Sequence, residues 1–256
     1  TPMGDYQASR DNLGKEVGRV HPRLALQRIA FALATARART QLRKADAIVA
    51  VSRTVAQELP GLQPNDPRVI IIPNGVDPAD FPAVSRSAAR EELKLPAEGT
   101  VLSFVGRVEE AKGVGALLDV VARFPDAVLL IAGGGVSIEA FRARLQTHPA
   151  GPRVRILGPM REGRRFVYAA SDLFCLPSRH EGAPVTLLEA MAMGTPVATT
   201  RPWLPDALLP YASVNQDPLR MVEEGLALAT KVHPGESRAL VLNHFAWDRI
   251  AQTYSD

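Results

Sequence analysis

The sequence predicts an α/β protein built on parallel sheets, and two observations carry that prediction. Short apolar or β-branched runs alternate with helical segments every twenty to thirty residues or so, the rhythm of right-handed βαβ units. Glycine-rich or polar loops follow several of those runs, at the strand ends where open α/β sheets hold their ligands.

In chain order, residues 1–20 are polar, carry Gly14 and Gly18, and read as loop. Pro22 to Lys44 reads as a helix with Leu24, Ile29, Phe31 and Leu33 apolar and Arg23, Arg28, Arg37, Arg39 and Arg43 basic. Such a helix packs on a sheet with a solvated basic face, or lies on a membrane surface as a peripheral contact. Asp46 to Ser52 reads as a buried strand, with Ser52 capping a helix from Arg53 to Leu59. Val69 to Ile72 is a second β-branched run, ended by the turn Pro73-Asn74-Gly75. The charged, proline-dotted stretch Asp77 to Glu98, with a short helix Ser87 to Leu93, reads as a connection between domains.

A second series follows: strand Val101–Val105, helix Gly113–Phe124, strand Ala127–Ala132, helix Ile138–Leu145, strand Val154–Leu157 and a helix around Arg164–Ala170. The apolar run Leu173–Leu176 is then broken by Pro177-Ser178 and the loop Arg179-His180-Glu181-Gly182. A helix opens near Pro184 and stops at Gly194, the usual placement of those two residues. Pro196–Thr199 reads as a strand, Pro218–Lys231 as a helix and Phe245–Tyr254 as a terminal helix.

Composition narrows the function classes. At 256 residues, 46% hydrophobic and 22% charged, the chain has an ordinary globular balance. Its net charge of +3 suits phosphate-bearing ligands or an anionic surface. Aromatics make up only 5% and do not interleave with basic residues, which argues against nucleic acid as a partner. The single cysteine, Cys175, excludes an intrachain disulfide, fits a reducing compartment and, inside an apolar run, reads as a small buried hydrophobe. No apolar run approaches the roughly 20 residues that span a bilayer. No secretory signal pattern opens the chain, which begins Thr1-Pro2-Met3 without an initiator methionine, so an upstream part is expected.

Three loops carry candidate chemistry. Gly106-Arg107-Val108-Glu109-Glu110-Ala111-Lys112-Gly113 places Arg107 and Lys112 on one strand-to-helix loop, beside free helix N–H groups that attract anions. Two cations with backbone donors suit a diphosphate and would stabilise charge on a departing phosphate, unless the loop is simply a solvated surface turn. Gly133-Gly134-Gly135 fails as a dinucleotide fingerprint because Ile138 holds the sixth position; it reads as a tight turn admitting a ligand or a neighbouring loop.

In the third loop, Glu181 and Glu189 have seven residues between them, roughly 12 Å at helical rise. They are too far apart to share one glycosidic bond, but they could reach two sugars of one extended ligand. The alternative is a surface Glu181 and a Glu189 salt-bridged in the core. The amides of Gly182, Ala183 and Val185, around Pro184, can hold a sugar or phosphate. His180 has no second histidine at ligand spacing and there is no Asp-x-Asp pair, so no metal site is expected. Ser178 reads as a loop serine.

Together these segments resemble the retaining glycosyltransferases of family 4, which have the GT-B architecture of two Rossmann-like domains. The matching pieces are A-D-A-I-V-A-V-S, I-I-P-N-G-V-D, G-R-V-E-E-A-K-G, L-L-I-A-G-G-G, V-R-I-L-G and the E-x7-E stretch, over most of residues 45–200. The resemblance implies an incomplete N-terminal acceptor domain at 1–78, a donor domain at 79–244 and a terminal helix, 245–256, crossing back to the first. About a hundred residues would be missing from the first domain. It implies transfer of a sugar from a nucleotide diphosphate sugar, as co-substrate with no further cofactor, to a saccharide, lipid-linked or other hydroxyl acceptor. Arg107 and Lys112, with Gly106, would hold the diphosphate, Glu181 the donor sugar and Glu189 the ribose, while the loop from Leu157 to Met160 would border the base. The location implied is cytoplasmic, with membrane contact at the inner face. After Thr200, R-P-W-L-P-D lacks the Gly-Gly and Glu that often follow there in the family. A non-catalytic nucleotide-sugar-binding relative without its acceptor half is the alternative.

Overall fold

A computed structural model of the chain describes residues 34–63, 65–160 and 162–254. The chain divides into two units, one comprising Thr1–Ile48 with Gln57–Val69 and the other Val49–Ala56 with Ile70–Asp256. The described part of the first unit begins with helix α1 (34–44). Its C-terminal carbonyls are met by a cation, as the helix dipole favours. The Arg68 guanidinium donates to the carbonyls of Leu42, Arg43 and Ala45 at 3.2, 3.3 and 2.9 Å and is itself paired with Asp66 at 2.7 Å. The expectations for residues 1–33, including the first half of the basic helix, lie outside the described residues.

β1 (Ile48–Ala50) and β2 (Val69–Ile71) form a two-stranded sheet. The expectation of a buried strand at Asp46–Ser52 is corrected here. The strand is shorter, and Val49 is exposed between buried Ile48 and Ala50, as in a sheet covered on one face. Between the two strands lies the short helix α2 (Arg53–Gln57), where Ser52 Oγ accepts from Val55 N at 3.1 Å.

The second unit is organised on a six-stranded sheet, entered through helix α3 (Arg86–Glu92). Its elements alternate: β3 (Val101–Val105), α4 (Val114–Arg123), β4 (Val128–Ala132), α5 (Ile138–Thr147), β5 (Val154–Gly158), α6 (Arg164–Ala170), β6 (Leu173–Leu176), α7 (Val185–Ala192), β7 (Val197–Thr199) and β8 (Ala212–Val214). Every neighbouring pair is parallel, and the spatial order is β5-β4-β3-β6-β7-β8. Numbered within the sheet, this is the doubly wound order 3-2-1-4-5-6, whose direction reverses between β3 and β6. The central strands are near-continuous apolar runs, with Leu102, Phe104, Leu129, Leu130, Ile131, Leu173 and Phe174 fully buried, as a parallel sheet covered on both faces requires.

Helices α8 (Pro218–Ala229), α9 (Pro234–His244) and α10 (Trp247–Gln252) complete the unit. The C-terminal segment lies against 75–76: Val76 N donates to Phe245 O at 2.8 Å and Trp247 N to Val76 O at 3.0 Å. Arg90 on α3 is buried, 2% exposed, yet satisfied. Its guanidinium donates to the carbonyls of Ala97, Gly99 and Ala170 and to Asp172 Oδ2, which also accepts Val101 N. The connecting stretch is thereby fastened to the start of β3. β8 and α9 are elements that the sequence pattern does not announce. Among the described residues no helix is long and apolar enough to cross a membrane.

Candidate functional site

In a doubly wound sheet the crevice opens beyond the carboxyl ends of the two strands at the reversal point. Here those strands are β3 and β6, and the loops that follow them are laced together. Gly113, at φ 69°, ends the turn Glu110–Lys112 and begins α4, and a Cβ there would stand 2.1 Å from Pro177 O. Arg179 N donates to Ala111 O at 3.0 Å. The β4 loop joins from the other side: Gly106 N donates to Ala132 O at 3.0 Å and Val108 N to Gly134 O at 2.7 Å. Gly133 leaves no room for a side chain, since its Cβ would lie 1.8 Å from Gly106 O. The glycine triplet thus admits a neighbouring loop.

This lacing brings two of the sequence-predicted residues into contact. Lys112 Nζ stands 2.6 Å from Glu181 Oε1, with the two side chains only 19% and 11% exposed. Ser178 Oγ donates to the same oxygen at 2.6 Å. Among the described residues, Glu181 Oε2 receives no hydrogen bond. Arg107 stays at the rim, 71% exposed and paired with Glu109 at 2.8 Å, and does not join the Lys112–Glu181 pair.

The loop between Glu181 and α7 is held by its carbonyls. Ser52 Oγ donates to Gly182 O at 2.6 Å, and Asn74 Nδ2 donates to Ala183 O at 2.8 Å. Pro184 is extended at φ −70° and ψ 110°, and the helix starts at Val185. Among the described residues the N–H groups of Gly182, Ala183 and Val185 have no acceptor, so the loop keeps donors for an anion or a hydroxyl at a helix N-terminus.

Glu189 belongs to a separate cluster, one turn into α7. Its Oε2 accepts the Tyr168 hydroxyl at 2.7 Å, and its Oε1 is 3.1 Å from Arg164, which also reaches Asp80 at 3.6 Å and lies over the Phe81 ring. Burial raises the Glu189 carboxyl above its ordinary value, while the Tyr168 hydrogen bond and the Arg164 charge oppose the rise. Tyr168 is pushed well up by burial and by the neighbouring carboxylate, so its proton stays available to Glu189. The awkward carboxylate of the sequence therefore has protein partners on both oxygens. Leu157 and Met160, half-buried at the end of β5 and in the loop beyond it, pack on the core.

His180 sits edge-on to Trp203, ring centroids 6.1 Å apart. Among the described residues no group of three or more His, Cys, Asp or Glu could hold a metal ion. Sequence reasoning missed the residues that support the site: Ser52, Asn74, Tyr168, Arg164 and Ser178. Asn74 carried a signal, as an amide in a Pro-Asn-Gly turn; Tyr168 and Ser178 carried none, because their partners lie in other elements.

Residues 85–205, which contain every site residue expected from the sequence, match the family model described as Glycosyl transferases group 1. Residues 14–80 match Glycosyltransferase Family 4. A D-inositol 3-phosphate glycosyltransferase of Xylanimonas cellulosilytica is 36% identical over 165 residues, 59% of this chain and 40% of that protein. The chain thus spans about two fifths of that curated relative. Among solved structures, sucrose-phosphate synthase of Thermosynechococcus elongatus gives a TM-score of 0.70 at 24% identity, over 85% of this chain and 58% of that one. HepE of Anabaena, solved in complex with UDP, gives 0.67 at 20% identity, over 83% and 63%. With its doubly wound sheet the chain has the GT-B fold, and over these two segments it is similar to the group 1 and family 4 glycosyl transferases.

Proposed function

We propose that the β3–β6 crevice binds the diphosphate and sugar of a nucleotide sugar, and that the protein transfers that sugar to an acceptor hydroxyl with retention of configuration. The observation that carries this reading is the meeting of Lys112 and Glu181 at the reversal point, with unpaired loop amides beside them. Lys112 draws one phosphate, and Arg107 leaves Glu109 to reach the other. Glu181 accepts from a hydroxyl of the donor sugar, the amides of Gly182 to Val185 hold the sugar or phosphate, and Glu189 receives ribose hydroxyls beside its protein partners. Leu157 and Met160 border the base.

In the transfer, the bond from the anomeric carbon to the diphosphate oxygen breaks, a bond to the acceptor oxygen forms, and the acceptor's hydroxyl proton passes to the departing diphosphate. The two cations offset the charge that accumulates on the leaving diphosphate, so the reading needs no metal ion there. UDP and UDP-glucose in the Anabaena HepE structures support a nucleotide-sugar donor, and the D-inositol 3-phosphate glycosyltransferase named among the curated relatives supports a hydroxyl-bearing acceptor. A cytoplasmic site of action, with membrane contact through the basic Pro22–Lys44 segment, completes the reading. Calorimetric titration of UDP, GDP and ADP and their glucose conjugates tests it. Binding in the micromolar range is expected, and absence of binding below millimolar for all three pairs would sink the donor-site assignment.

A further inference from the structure

We infer that Ser178 is a positioning residue that fixes which oxygen of Glu181 is left for the donor sugar. Ser178 lies two residues beyond the end of β6 and is fully buried, so its hydroxyl has no water to compete with its protein partner. Its Oγ donates to Glu181 Oε1 at 2.6 Å, the oxygen that also holds Lys112. Its own backbone is fixed from the loop just beyond β7, because Thr200 Oγ1 donates to Ser178 O at 2.5 Å. Two donors on one oxygen set the rotation of the carboxylate and leave Oε2 as the open acceptor.

Lys112 alone could not do this once a diphosphate is bound, since the phosphate competes for its charge. Ser178 is neutral and buried and has no reason to follow the phosphate. It keeps Oε1 engaged while Oε2 stays aimed at the sugar. This rests on the donor-site reading, and it predicts that Ser178 matters for the sugar moiety and not for the nucleotide.

The test is calorimetry of wild type, Ser178→Ala, Ser178→Thr and Thr200→Val with UDP and UDP-glucose, or with the ADP or GDP pair if wild type prefers it. Ser178→Ala should weaken the sugar nucleotide about 5- to 10-fold and the nucleoside diphosphate less than about 2-fold, the scale of one lost hydrogen bond. Ser178→Thr, which keeps the hydroxyl, should restore most of the difference. Thr200→Val should show the same selective loss at about 2- to 3-fold, and it serves if Ser178→Ala does not fold. A purely structural role would weaken both ligands together and would gain nothing from threonine. Equal losses on both ligands overturn the role of Ser178 and leave the donor site standing; a wild type that binds no nucleotide overturns both.

Discussion

Lys112 Nζ and Glu181 Oε1 lie 2.6 Å apart, so the cation assigned to the diphosphate and the carboxylate assigned to the sugar are partners before any ligand arrives. Binding a diphosphate therefore means competing with Glu181 for Lys112. Glu181→Gln should remove that competition and strengthen binding of a nucleoside diphosphate, by about 3- to 10-fold, or ~0.7–1.4 kcal/mol. The same variant should lose the preference for the sugar nucleotide over the bare diphosphate. Calorimetry decides it, and weaker diphosphate binding in Glu181→Gln would mean that the pair does not open.

Lys112→Ala separates phosphate from base. Removing a charge-assisted contact to a phosphate should weaken a nucleoside diphosphate by about 10- to 100-fold and the parent nucleoside by less than about 2-fold. Equal losses on the two ligands would argue against any phosphate role. Arg107→Ala should follow the same pattern more weakly, because Arg107 waits exposed at the rim and must reorganise to bind.

The second unit was legible where the chemistry was local. The strands Val101–Val105, Val128–Ala132, Leu173–Leu176 and Val197–Thr199 show as apolar runs because both faces of a parallel sheet are covered, and Pro184 and Gly194 bracket their helix through fixed backbone preferences. The short strand Ala212–Val214 gave no signal, since three residues with a serine among them make no distinct run. Lys112 and Glu181 could be named as candidates, but their contact depends on Gly113 admitting Pro177, a pairing of loops far apart in the chain. Glu189 was recognised as a carboxylate needing a partner. That Tyr168 and Arg164 supply one depends on how α6 meets α7, which no spacing along the chain encodes.

Glu189 should make stability depend on pH in a stated direction. Burial raises its carboxyl above the ordinary 4.5, so the folded chain holds that proton to higher pH than the unfolded chain does. In the window just above 4.5 the folded state then binds more protons, and stability falls as pH rises through it. Glu189→Gln should flatten this component. Tyr168→Phe removes a donor that opposes the rise, so it should widen the window upward and destabilise by about 1–3 kcal/mol. Urea midpoints from pH 4.5 to 7 check both, and identical pH profiles for wild type and Glu189→Gln would refute the direction given.

Neighbouring glycines should behave very differently. At Gly133, φ is 152° and an added Cβ would stand 1.8 Å from Gly106 O, with no flexible side chain there to give way. Gly133→Ala should cost about 3 kcal/mol or more by forcing the β3 and β4 loops apart. Because the β3 loop carries Arg107 and Lys112, the same variant should lose nucleoside diphosphate affinity at temperatures where it is still folded. At Gly134 the nearest atom to a new Cβ is Pro159 Cγ at 3.4 Å, an ordinary contact. Gly134→Ala should change stability by less than about 1 kcal/mol and leave binding intact. Denaturant unfolding with calorimetry on the pair makes the comparison, and a Gly133→Ala as stable as Gly134→Ala would show that the two loops do not meet as described.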